Sequence, residues 1–140
     1  MTLPAHLHPM LVHFPIALFI TSLGFEVCGR LFNHQGLKQS AVYLYIAAVL
    51  LTPVVVQTGL WEAQGLDVHH PVLSSHQTFA FVSMYISAAS LIFLWFIKIK
   101  YPKLFSSIFF LIILGIVSLI GITAYYGGRL VFEYGVGINQ

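Results

Sequence analysis

Charge is what this sequence has least of. Six basic and four acidic side chains serve 140 residues, 7% of the chain, where a soluble domain carries about 25%. That leaves too little polar surface to cover a water-soluble globule. The net charge of +2 excludes the dense basic surface of a nucleic-acid binder, and no basic stripe interleaved with aromatics appears. Cysteine is nearly absent. The single Cys28 excludes an internal disulfide framework and a CxxCH covalent haem site. No basic stretch precedes the first apolar run, so an uncleaved anchor is expected rather than a signal peptide. No Ser/His/Asp set, glycine-rich phosphate loop or paired catalytic carboxylates can be argued. A redox carrier or subunit is therefore expected rather than a stand-alone enzyme.

Apolar residues take the place of charge. They make up 59% of the chain, and the mean hydropathy is +0.91. A spanning helix needs roughly 20 mostly apolar residues. Four runs qualify, at 10–32, 40–63, 76–97 and 104–127. The expectation is an all-α integral membrane protein, one four-helix transmembrane domain over residues 1–140. Lipid bilayer is its first partner, and nucleic acid is not one.

The basic residues give a direction. Arg30 and Lys38 flank the first loop, and Lys98, Lys100 and Lys103 lie in or beside the third. The positive-inside rule places these loops in the cytoplasm. Both termini and the loop at 65–75 then lie outside, on the periplasmic side of a bacterial inner membrane. His6, His8, His13, His69, His70 and His76 fall near that outer face, with Glu62, Asp67, Arg129 and Glu133.

Two of these histidines stand in matching phrases. His8-Pro9-Met10-Leu11-Val12-His13 and His70-Pro71-Val72-Leu73-Ser74-Ser75-His76 both read His-Pro-x-Leu, then a histidine, then an apolar span. Small residues follow each entrance histidine at helical spacing: Ala17, Thr21, Gly24 and Cys28 after His13, and Ala80, Ser83, Ser87 and Ser90 after His76. This reads as a parallel repeat of two helical pairs, with an axis along the membrane normal relating His13 to His76. Small faces let helices approach closely, or leave room for something between them.

The opening His8-Pro9-Met10-Leu11-Val12-His13-Phe14-Pro15-Ile16-Ala17-Leu18 and the closing Gly127-Gly128-Arg129-Leu130-Val131-Phe132-Glu133-Tyr134-Gly135-Val136-Gly137 resemble the end signatures of a family of small four-helix bacterial membrane proteins, domain of unknown function 2231. His76 at the head of the third span also fits. The resemblance covers nearly the whole chain and implies an inner-membrane protein in respiratory or redox contexts, with no established activity.

Three readings of the histidines stay open. The first is b-type haem with His13 and His76 as axial ligands, since bundle interiors hold such cofactors between facing helices. Arg129 would pair with a propionate, and Phe14, Phe79, Tyr125 and Tyr126 would line the ring. The chain is then an electron-transfer protein or subunit working with other membrane or periplasmic redox proteins. A quinone would find hydrogen-bond partners in His70, Glu62 or Tyr126. The second is a divalent metal or copper ion held by His8, His13, His70 and His76 with Glu62 or Asp67. The third is interfacial imidazoles that cap helix starts in a structural or assembly subunit without a cofactor. Pro15 and Pro53 are expected to loosen their helices near the outer half. Glu26 and Arg30, four residues apart, are expected to pair.

Overall fold

The computed structural model describes residues 7–65 and 70–136. Four helices fill them: α1 (Leu7–Leu31), α2 (Gln35–Gly65), α3 (Pro71–Lys100) and α4 (Pro102–Phe132). Each is long and apolar enough to cross a membrane. Every helix begins ahead of its apolar run, and all but α1 also end beyond it, because backbone hydrogen bonding continues into the headgroup zone after the side chains turn polar.

The connections at the basic end are short. Asn33, in the left-handed region at φ 49°, turns the chain out of α1, a conformation asparagine tolerates. The ring of His34 then accepts from the backbone N–H of Leu37 at 3.2 Å. Tyr101 alone separates α3 from α4, and Pro102 begins α4, where its missing N–H costs nothing. Such tight links make α1–α2 and α3–α4 antiparallel hairpins, which are the most extensive packings. The hairpins meet through α1 against α4 and α2 against α3, so α1 and α3 lie diagonally across the bundle.

The core is packed towards the basic end. Tyr45 stands at its centre, 1% exposed. Its ring lies edge to face with Phe19 at 5.6 Å and with Phe109 at 5.4 Å, a preferred aromatic geometry. Its hydroxyl hydrogen-bonds Ser90. Around it pack Ala48, Val49, Leu94, Ile113 and Ile116. Many large apolar side chains instead face outward, among them Leu50, Ile92, Trp95 and Leu111, as lipid contact requires.

The repeat is present, in a register different from the one expected. A shift of 68 residues carries the buried face of α1 (Pro15, Phe19, Ser22, Glu26, Gly29) onto that of α3 (Ser83, Ser87, Ser90, Leu94, Ile97). The same shift carries Ala41, Tyr45 and Ala48 of α2 onto Phe109, Ile113 and Ile116 of α4. His8, not His13, is then the counterpart of His76, and the counterpart of His13 is Phe81. The His-Pro-x-Leu phrases mark where helices begin, and α3 begins further ahead of its structural equivalent than α1 does. His70 shows this use directly. It is the N-cap of α3, its ring accepting from the N–H of Val72 at 3.2 Å, with Pro71 in the first turn.

Candidate functional site

At the end away from the basic loops the four helices part around a cavity of about 600 Å³. His8 and His76 both line it, one from each hairpin. Their ring centroids are 6.4 Å apart, and their planes cross at 76°.

Each ring is held through Nδ1 by a backbone carbonyl of the neighbouring helix. His8 Nδ1 lies 3.0 Å from the carbonyl oxygen of Val55, and His76 Nδ1 lies 2.9 Å from that of Thr123. Each carbonyl is 47 residues beyond its histidine. A carbonyl oxygen only accepts, so Nδ1 carries the proton in both rings. In the neutral rings Nε2 keeps its lone pair, the form in which histidine binds metal.

Glycines make this arrangement fit. Gly59 stands one turn beyond Val55, and Gly127 one turn beyond Thr123. A side chain one turn on would shield the carbonyl. A Cβ on Gly59 would lie 2.8 Å from Cε1 of His8, and one on Gly127 would lie 3.1 Å from Cε1 of His76. The absence of those methyl groups lets each imidazole rest against the neighbouring helix backbone. Thr58 adds a second contact, 3.4 Å from His8 Nδ1, while donating to Val55 at 2.8 Å.

The other expected site residues fall in several places. His13 is exposed, on the cavity rim. The stripe that follows it, Ala17, Thr21 and Gly24, is exposed rather than packed, whereas Ser83, Ser87 and Ser90 of α3 are buried. Pairing His13 with His76 across an axis therefore gives way to the pair His8–His76. Arg129 is engaged by Glu133 at 2.8 Å, lies over the ring of Tyr125, and does not line the cavity. Phe14 and Tyr125 point outward, and Tyr126 stacks on Phe79 at 5.4 Å. None of the four aromatics expected at the ring lines the cavity, where Phe19, Phe81 and Phe132 stand instead. His70, besides capping α3, lies 4.0 Å from the ring of Tyr134. Glu62 is on the cavity wall. His6, Asp67 and His69 lie outside the described residues. Among the described residues, no three of His, Cys, Asp and Glu converge as metal ligands would. Pro15 is buried on the cavity wall, while Pro53 is exposed and takes no part in it.

Local phrase matching missed the pairing of His8 with His76. The signal that finds it is a histidine with a glycine 51 residues on that recurs under the shift of 68 residues, His8 with Gly59 and His76 with Gly127.

At the opposite end Glu26, 1% exposed, forms the expected pair with Arg30 at 2.9 Å. Ser106 Oγ also donates to Glu26, at 3.2 Å, and the Arg30 guanidinium reaches both the carbonyl and the hydroxyl of Ser106. The guanidinium lies 4.7 Å from the centroid of Phe110. The Arg30 and Ser106 contacts to Glu26 are both made to one carboxylate oxygen, Oε1, and Arg30 supplies the opposite charge.

No curated protein and no solved structure matches the chain. One family profile does, described as "Predicted membrane protein (DUF2231)", over residues 4–140. With four spans in one bundle and a match that covers almost its whole length, the chain belongs to that family of membrane proteins.

Proposed function

We propose that the protein is a membrane-embedded electron-transfer protein or subunit carrying b-type haem, with His8 and His76 as the axial ligands. The observation that carries this reading is the matched pair of imidazoles, each with Nδ1 tied to a backbone carbonyl, 6.4 Å apart across an apolar cavity. Two imidazoles sharing one metal centre need that spacing: two bonds of roughly 2 Å, plus about 1 Å from each nitrogen to its ring centre. A divalent ion in a structural site wants four protein ligands, whereas haem supplies its own four equatorial nitrogens and asks the protein for only two. The donor set at hand fits the second demand. The carbonyl bonds fix tautomer and ring orientation, and they raise the basicity of the ligating nitrogen. Glycine and alanine at Gly59, Ala80, Ala124 and Gly127 provide flat walls.

Haem bound here would supply one-electron exchange. The chain's own part is to orient both ligands and to hold the site near one membrane face. With the basic end in the cytoplasm, that face is the periplasmic side of a bacterial inner membrane, where a periplasmic or membrane redox partner has access.

The test is the spectrum of the detergent-purified protein. A Soret band with sharp bands on reduction is expected. His8→Ala and His76→Ala should each abolish it, and His13→Ala should leave it in place. A normal spectrum in both the His8 and His76 variants overturns the assignment. Loss in the His13 and His76 variants, with the His8 variant normal, would restore the ligand set expected from the matching phrases.

A further inference from the structure

The basic end of the bundle holds a second cavity, of about 310 Å³, that the histidine site does not use. We propose that it binds a phosphate-bearing anion, the headgroup of an anionic phospholipid. Its walls come from all four helices, with Glu26 of α1, Lys38 of α2, Lys98 of α3 and Ser106 of α4 among them. The charges decide the class of ligand. Glu26 is answered by Arg30 and Ser106. Among the described residues, neither Lys38 nor Lys98 has an ion-pair partner. The cavity therefore presents two ammonium groups beside a neutralised carboxylate, which favours an anion and disfavours a cation.

Both lysines are placed by the fold. Lys38 crosses α1 at Gly29, where an added Cβ would lie 2.7 Å from its Cγ and 3.0 Å from its backbone nitrogen. Only a glycine lets that stem lie so close. Lys98 sits with its ammonium 5.8 Å from the centroid of Phe105, on the same wall. The repeat shows why its charge is spare. Under the shift of 68 residues Lys98 stands where the first half has Arg30, but Leu94 stands where the first half has Glu26. One half answers its cation with a carboxylate, and the other leaves it for a ligand. Phosphate accepts charge-assisted hydrogen bonds from ammonium groups. Basic pockets between spanning helices near the membrane surface suit lipid headgroups. Gln35, Gln39 and Tyr43 add polar groups to the lining, and Val42, Phe105 and Phe109 add apolar surface for an acyl chain leaving the headgroup.

The test is lipid retention by the full chain, read by native mass spectrometry from micelles doped with equal phosphatidylglycerol and phosphatidylcholine. Wild type should retain phosphatidylglycerol preferentially. Lys38→Gln with Lys98→Gln should lose that preference, by about fivefold for each lysine. Lys100→Gln with Lys103→Gln should keep it, because those residues lie at the same end but not on the cavity. Gly29→Ala should lower it by displacing the stem of Lys38. Gel filtration confirms that each variant is folded. If wild type shows no lipid preference but inorganic phosphate raises its melting temperature, and fails to do so in the Lys38/Lys98 variant, the site takes free phosphate. Equal loss in the Lys100/Lys103 variant, persistence in the Lys38/Lys98 variant, or no response to either probe overturns the proposal.

Discussion

Phe19, Tyr45 and Phe109 close the bundle around its centre, while nearer the histidine end the same helices carry Gly59, Ala80, Ala124 and Gly127 around open space. The two regions obey the repeat differently. At the hollow end it is kept in chemistry, with histidine on carbonyl beside glycine in both hairpins. In the filled half it is kept mainly in position: Tyr45 answers Ile113 and Glu26 answers Leu94, although Ser22 answers Ser90 and Arg30 answers Lys98. A packed interior asks for complementary volumes, and unlike side chains interlock better than like ones across an axis. A site that two imidazoles share asks for like groups at like depth. The contrast thus separates what the duplication retains for a ligand from what it varies for packing.

Truncation in the filled half should produce the largest loss of stability. Tyr45→Ala removes a buried ring that touches three helices, and should cost about 3–5 kcal/mol. Phe81→Ala, on the wall of the cavity, should cost about 1 kcal/mol or less, because one side of that ring already faces space. Unfolding in mixed micelles of mild detergent and SDS measures both. Equal costs would mean that the two regions are packed alike, and would remove the contrast.

The ionic cluster comes next. Glu26→Leu gives the first half the residue that the second half carries at the matching position. It strips Arg30 of its carboxylate, at a cost of roughly 1–3 kcal/mol, less than for a fully buried pair because the Arg30 side chain is 32% exposed. Adding Arg30→Leu should recover most of that loss, since paired apolar replacements are often neutral. The same unfolding assay reads both variants. A double variant no more stable than the single one would show that Arg30 is held chiefly by Ser106.

The sequence makes the fold legible because lipid leaves few solutions. Four apolar runs and the loop lysines suffice for four spans in antiparallel hairpins, and the i,i+4 spacing of Glu26 and Arg30 suffices for their pair. The existence of a repeat was readable too. Its register was not, for a physical reason. His-Pro marks the start of a helix through capping and the fixed φ of proline, so it recurs wherever a helix begins, whatever the depth of that beginning. His70 and His8 share the phrase but not the role: His70 caps α3, and His8 faces the cavity. Depth is set by packing, which reads out in buried faces along whole helices. Arg129 has a local partner that its sequence reading did not single out. Its nearest opposite charge is one turn away on its own helix, and Glu133 takes it.

The smallest effect expected tests the hollow end most finely and needs no cofactor. If the carbonyls of Val55 and Thr123 hold both rings, ¹⁵N-histidine NMR of the detergent-solubilised protein should show His8 and His76 as Nδ1–H tautomers when neutral. The exposed His13, which has no hydrogen-bond partner among the described residues, should favour the ordinary Nε2–H form. Gly59→Ala places a methyl group against the His8 ring, at 2.8 Å from Cε1, and Gly127→Ala places one against His76 at 3.1 Å. Each ring must tilt off its carbonyl, at a cost of about 1 kcal/mol for the weakened hydrogen bond. That energy corresponds to roughly a fivefold loss of the Nδ1–H form. The change should be confined to the ring beside the substituted glycine, and it should be larger at Gly59, where the approach is closer. Tautomers that ignore both substitutions would mean that the rings are not held by those carbonyls, and the likeness of the two hairpins at this end would then be one of backbone alone.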